Sequence, residues 1–201
     1  DVVRRVRALP GETAAKVVLL RGNHEDAWLK ACRDGAPEFV LPRGNGCYTT
    51  YRSYTGGAPP AREEDPTADE LRSMATGAFL PPDVVEWMKS LPLWHEDEHA
   101  IYVHAGLPFE GGRWLHPSEV KDPRPLLWQR SRSFYQEYAG KRVVFGHTPV
   151  KRLPQEQSAR TPDDALDVYL TPSLVGLDTG AGMGGFLSAI ELPEGRVLEA
   201  R

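Results

Sequence analysis

Cysteine is nearly absent from this chain: Cys32 and Cys47 are the only two among 201 residues. Their spacing makes neither a zinc-ligand pattern nor a disulfide framework, so two free thiols in a reducing cytoplasm are expected. Long apolar runs are absent too. None approaches the ~20 residues that a membrane-spanning helix needs, because charge or glycine interrupts each candidate. Neither sign of charge dominates: 24 Lys and Arg stand against 28 Asp and Glu, a net charge of -4. That balance marks no nucleic-acid binder and no membrane-surface binder. The N-terminus shows no basic stretch followed by an apolar core, so no secretory signal is read, and no internal repeat is visible. What is there is ordinary for a globular chain, with 40% hydrophobic and 26% charged residues. This length suits one domain, residues 1–201, with a sizeable core.

The opening "DVVRRVRALPGE" reads as a helix already under way and carries no Met, so a segment upstream of position 1 is expected. "KVVLL" (16–20) is short, apolar and partly β-branched, which predicts a buried strand. "EDAWLKACR" (25–33) has acids first and bases last, which predicts a short helix matched to its dipole. Residues 35–66 hold many Gly, Pro and Arg without a period, so a long irregular excursion is expected there. "PTADELRSMATGAF" predicts a helix capped by Thr67, with Leu71, Met74 and Ala75 at helical spacing. "PPDVVEWMKSLP" predicts another, with Pro near its start and Pro92 after it. Then the period changes. "AIYVHAGL", "RVVFGHTPV", "LVGLDTGA" and "GFLSAIEL" read as strands. "DPRPLLWQRSRSFYQEYAG" lies between the first two and reads as one helix, and 151–165 reads as a loop. The order favours an α/β sandwich of mixed sheets with helices outside.

Three apolar runs end alike. "VVLL" leads into Arg21-Gly22-Asn23-His24-Glu25, "AIYV" into His104-Ala105-Gly106, and "RVVF" into Gly146-His147-Thr148. Ligand sites collect just beyond the carboxyl ends of strands in such sheets, so Asn23, His24, His104 and His147 are expected at one rim. Imidazole is a neutral ligand for Zn, Mn or Fe, and Asn offers a carbonyl oxygen. Adjacent Gly lets the backbone turn tightly and come close to a ligand. Arg21 brings a planar fork that holds two phosphate oxygens. "HAG" or "GHT" alone says little. "RGNHE" is more specific, and the three together point to metal-dependent phosphate chemistry.

With "LLRGNHED", "VHAGL", "LLWQR", "VVFGHTPV" and "GLDTGAGMGGFLSAIEL", the chain resembles the phosphoprotein phosphatase branch of the calcineurin-like metallophosphoesterases, most closely its bacterial members. The resemblance runs from about Val17 to Glu199. It implies a calcineurin-like α/β sandwich of two mixed β-sheets flanked by helices, with two divalent metal ions at the strand ends. Mn²⁺ is the first expectation, with Fe and Zn as alternatives. Asn23, His104 and His147 match ligands of one ion, His24 matches the general acid, and Arg21 and Arg130 match phosphate-binding arginines. The implied reaction is hydrolysis of phosphomonoesters on Ser/Thr phosphoproteins, with Tyr as an extension, by a hydroxide held between metals about 3.5–4 Å apart. A phosphorylated protein or a small phosphoester is the expected partner, with no nucleic acid and no membrane. The main alternative is a hydrolase of dinucleoside polyphosphates such as diadenosine tetraphosphate, which shares these motifs. The other is a non-catalytic phosphate-binding relic, because two family motifs are missing. Gly-Asp-x-His-Gly and Gly-Asp-x-x-Asp-Arg-Gly do not occur in residues 1–201, so the second ion's ligands are expected from upstream.

Other chemistry-bearing residues have plainer readings. His95 and His99 in "WHEDEH" are read as a solvated turn between strands, His116 as structural or exposed, and Asp163-Asp164 as solvated. Asp178 is read as tying a loop at the site's edge. Trp28, Tyr48 and Tyr51 are read as packing.

Overall fold

A computed structural model describes residues 2–61, 63–159 and 164–201. Asp1 and Asp163 lie outside the described residues. The chain divides into two compact units, one of Asp1–Leu19 and His24–Leu91, the other of Leu20–Asn23 and Pro92–Arg201.

The first unit is helical: α1 (Val2–Glu12), α2 (Asn23–Asp34), α3 (Pro37–Val40), α4 (Cys47–Thr55), α5 (Ala68–Ala75) and α6 (Pro82–Ser90). Asn23 opens α2 but belongs to the second unit. Glu25 and Asp26 in the first turn of α2 and Arg33 in the last complement its dipole. In α5, Thr67 accepts from Glu70 N at 3.3 Å and Glu70 Oε2 accepts from Thr67 N at 2.8 Å, a reciprocal cap. Residues 35–66 are not the irregular excursion expected, since α3 and α4 lie within them. Gly46 (φ 67°) and Gly56 (φ 79°) bound α4 in left-handed conformations that a non-glycine residue adopts at a cost. Trp28 is buried and meets the rings of Phe39 and Phe79 edge-on at 5.4 and 5.2 Å. Tyr48 stacks on Tyr51, so these aromatic residues pack as expected.

The second unit holds β1 (Trp94–Glu96), β2 (Ile101–Val103), β3 (Phe109–Glu110), β4 (Arg113–Trp114), α7 (Arg124–Trp128), α8 (Arg132–Glu137), β5 (Val143–Phe145), β6 (Tyr169–Leu170), β7 (Leu174–Gly176), β8 (Leu187–Glu191) and β9 (Arg196–Ala200). A five-stranded mixed sheet has the order β1-β2-β5-β7-β6. Its central strands are parallel, with Ile101 opposite Val143 and Val143 opposite Leu174, and β1 and β6 pair antiparallel at its edges. Every residue of β5 and β7 is buried, as parallel strands covered on both faces require. Ile101, Val103, Val143, Phe145 and Leu174 form one core cluster with Leu126 of α7 and Phe134 and Tyr135 of α8.

The architecture is therefore α/β, a mixed sheet with helices against it. The two mixed sheets expected are not both present among the described residues, where β3-β4 and β8-β9 are two-stranded antiparallel ribbons. Val17–Leu20 is half-buried and lies in no strand. An extended run becomes a strand only when a neighbour completes its ladder, and no described strand pairs with it; Arg21 N donates to Pro92 O at 2.9 Å at its end. The single helix expected over 122–140 is two. Gln129 leaves the helical path and donates from Nε2 to Leu107 O at 2.7 Å, and Ser131 restarts the helix by capping Phe134 N at 3.3 Å. Residues 151–165 hold two single-turn 3₁₀ segments, Val150–Arg152 and Gln155–Gln157.

Candidate functional site

Because β2, β5 and β7 run parallel, their carboxyl ends reach the same rim. His104 follows β2 directly, Gly146-His147 follows β5 and Leu177-Asp178 follows β7. Gly146 N donates to His104 O at 3.0 Å, and Leu177 N donates to Phe145 O at 2.9 Å, so the ladder continues one step past the strands. The imidazoles of His104 and His147 stand 5.0 Å apart between ring centroids. Asn23 reaches the same place from the Leu20–Asn23 segment. Its side chain is buried, and its Oδ1 accepts from His104 Nε2 at 2.8 Å across 81 residues of sequence. Sequence reading expected Asn23, His24, His104 and His147 at one rim; the structure brings Asn23, His104 and His147 together.

His147 is held in an unusual way. Its φ of 64° is the one positive value outside glycine among the described residues. Strain of this kind persists where surrounding structure over-determines the backbone. Here Thr148 N donates to Gly146 O at 2.6 Å, and the Thr148 and Tyr135 hydroxyls share a buried hydrogen bond of 2.8 Å. His147 Nε2 donates to the Trp128 carbonyl at 3.3 Å. A carbonyl partner fixes the tautomer and leaves Nδ1 as the nitrogen with a lone pair. Arg130 is exposed, and its guanidinium donates to His147 O at 3.4 Å, which places it against the His147 backbone. Arg21 is half-buried in the segment that ends in Asn23.

His24 falls in the other unit. Its ring meets Phe39 edge-on at 5.2 Å. Although the residue is open to solvent on one side, burial of the ring lowers its pKa below the ordinary 6.5, and the Glu25 charge opposes that shift. The glycine of "HAG" serves packing. A Cβ on Gly106 would come within 2.7 Å of Gln129 Nε2 and 2.9 Å of the Phe134 ring, so the residue lets α8 approach the strand end.

The donor set tests whether a metal suits the cluster. Two ligand atoms each ~2.1 Å from one ion at right angles stand ~3.0 Å apart, close to the Asn23–His104 separation of 2.8 Å. Asn23 Oδ1 and His104 Nε2 are therefore spaced as two neutral donors on one ion would be, and the His147 ring stands beside His104. Among the described residues no three His, Cys, Asp or Glu side chains gather as a metal site.

The remaining polar residues are structural. His95 pairs across β1 and β2 with Tyr102. In the turn that follows, Asp97 Oδ1 accepts from the amides of His99 and Ala100 at 2.8 and 2.9 Å. His116 bonds Glu96 at 2.9 Å, and Asp164 pairs with Arg201 at 2.6 Å. Asp178 ties its loop as expected, accepting from Gly180 N at 3.2 Å through Oδ1 and from Val150 N at 2.9 Å through its carbonyl. Cys32 and Cys47 are free thiols. No helix among the described residues is long and apolar enough to cross a membrane. Sequence reading missed Trp128, Tyr135 and Thr148, which orient His147. Only the Thr in "GHT" carried a local signal.

No known family's sequence model matches the chain, and no curated protein matches it. Among solved structures, one described as "a putative diadenosine tetraphosphatase" is similar to it at 19% identity and a TM-score of 0.47, covering 99% of this chain and 72% of that one. Likeness of that strength fixes neither fold nor function.

Proposed function

We propose that this chain carries part of the active site of a metal-dependent phosphoric-ester hydrolase. The observation that carries the reading is the meeting of Asn23 Oδ1 and His104 Nε2 at 2.8 Å, with His147 alongside, at the carboxyl ends of parallel strands. Asn23, His104 and His147 would hold one divalent ion, Mn²⁺ first and Fe or Zn as alternatives. A second ion would draw its carboxylates from outside this cluster. When bound, the metal supplies Lewis-acid charge to the phosphate oxygens.

The chain's own groups do the rest. Arg21 and Arg130 hold equatorial phosphate oxygens and stabilise the charge that spreads over them in the transition state. His24 follows Asn23 directly, so their Cα atoms are ~3.8 Å apart, and it gives a proton to the leaving oxygen. Its lowered pKa leaves a minority protonated at neutral pH, and a phosphate dianion nearby raises that fraction.

Two substrate classes share this chemistry, phosphorylated Ser/Thr (and Tyr) side chains and dinucleoside polyphosphates. The arginine-lined cavity described below favours the second. Calorimetric titration with Mn²⁺ should show binding that His104→Ala and His147→Ala abolish. The protein should lose hydrolysis to a chelator and regain it best with Mn²⁺. Full activity after exhaustive metal removal, or unchanged Mn²⁺ affinity in both variants, would sink the proposal. Parallel hydrolysis of a phosphopeptide and diadenosine tetraphosphate separates the substrates.

A further inference from the structure

The second unit holds a cavity of about 380 Å³ lined by Arg130, Arg132, Tyr135, Thr148, Arg152 and Glu156. It lies beside the imidazole cluster, because Arg130 bonds the His147 carbonyl and Thr148 is the next residue. Its charge differs from that around four other arginines of this unit. Arg113, Arg124, Arg196 and Arg201 each sit 2.6 Å from a carboxylate oxygen. Arg130, Arg132 and Arg152 make no ion pair among the described residues. Arg130 donates to a carbonyl, and Arg132 donates to the Gln136 amide oxygen at 3.1 Å. Three arginines thus line one space with one acidic residue, Glu156.

Like charges gathered without counter-charges repel, and an anion in their midst turns that repulsion into attraction. Tyr135 and Thr148 also line the cavity, with their hydroxyls bonded to each other at 2.8 Å. Three cations against one carboxylate leave an excess of about two charges, which matches a phosphate dianion. The volume falls within the ~300–1,000 Å³ of small-molecule sites.

We propose that Arg132 and Arg152, with Arg130 shared, form a second anion subsite next to the phosphate that is hydrolysed, so that the chain takes a substrate with two or more linked phosphates rather than a lone phosphomonoester. The inference rests on the hydrolase reading, since Arg130 is the group common to both places. Guanidinium forks bind successive phosphates of a chain bidentately, and a phosphomonoester offers them nothing beyond its single group.

The test is calorimetric titration of the full chain, without metal, using inorganic tripolyphosphate and orthophosphate. Tripolyphosphate should bind at least about tenfold more tightly, with an affinity that falls as salt rises. In the double variant Arg132→Ala/Arg152→Ala its affinity should drop to that of orthophosphate, and Arg132→Lys/Arg152→Lys should restore part of the difference. Both side chains are exposed, so the variants should fold, and circular dichroism checks it. Equal affinity for the two anions in the parent, or a double variant that keeps the preference, overturns the proposal. An acidic phosphopeptide that displaces tripolyphosphate at lower concentration also overturns it, in favour of a protein substrate. The two readings fail separately. A preference for tripolyphosphate that depends on the arginines, in a protein that hydrolyses nothing, upholds the subsite and removes the hydrolase. Hydrolysis without that preference does the reverse.

Discussion

His147 holds its ring at the rim with a backbone that L-residues avoid. At φ 64° its Cβ crowds the following carbonyl oxygen, at a cost of ~1–2 kcal/mol. Replacing it by Gly removes the crowding, but glycine's freer unfolded chain returns ~0.5–1 kcal/mol of that gain. Replacing it by Ala keeps the crowding. Both substitutions delete the ring and its bond to the Trp128 carbonyl, so those losses cancel in the comparison. His147→Gly should therefore be more stable than His147→Ala by ~0–1.5 kcal/mol, centred on ~0.75 kcal/mol. For a chain of this size each kcal/mol moves Tm by ~2–4 °C, which puts the two variants about 1.5–3 °C apart at that centre. Scanning calorimetry reads the difference directly. Mn²⁺ titration on the same samples should find both equally impaired, because each lacks the imidazole. If the Ala variant melts at or above the Gly variant, the backbone at 147 stores no strain. If the Gly variant binds Mn²⁺ like the parent, the ring is no ligand.

The Tyr135–Thr148 hydrogen bond, buried at both ends, should show as coupling in denaturant melts. Tyr135→Phe and Thr148→Val each strand one buried hydroxyl and should cost ~1–3 kcal/mol, and the double variant should cost less than their sum; strict additivity would argue against the bond. His24→Asn should slow hydrolysis of an alkyl phosphate by ~10²–10⁴-fold and of a nitrophenyl phosphate by much less, with metal content nearly unchanged; equal slowing of both substrates removes His24 as the acid. Burial pushes the Cys47 thiol and the Tyr169 hydroxyl up to about 12 from ordinary values of 9.0 and 10.0. Both are neutral in the fold, so their stability is fully present below pH ~9 and is lost as pH rises toward ~12. Melts from pH 8 upward should show that decline, and Tyr169→Phe should flatten it; a melt curve indifferent to pH across that span contradicts the burial.

Near-neighbour physics was legible in the chain. The matched charges of α2, the Thr67 cap, the proline at the start of α6 and the apolar runs of β2, β5 and β7 all act within a few residues, and all were read without coordinates. The same holds for the polar residues after those strands, since a strand that ends at His104 or at Gly146-His147 announces its own rim. Pairing is another matter. Val17–Leu20 has the composition of a strand but lacks a ladder partner, and composition does not contain that fact. The break between α7 and α8 depends on Gln129 reaching Leu107, 22 residues away. The helices within 35–66 lack a strong apolar period and form against Trp28, Phe39 and Met74 in one cluster. The sequence alone thus determined which residue types end the strands and so the chemistry available to them. Only the tertiary structure decided that Asn23 lies 2.8 Å from His104, and that three arginines share one cavity without ion pairs among the described residues. Such distances are set by parallel strand register and helix packing between remote segments, and no local pattern encodes them.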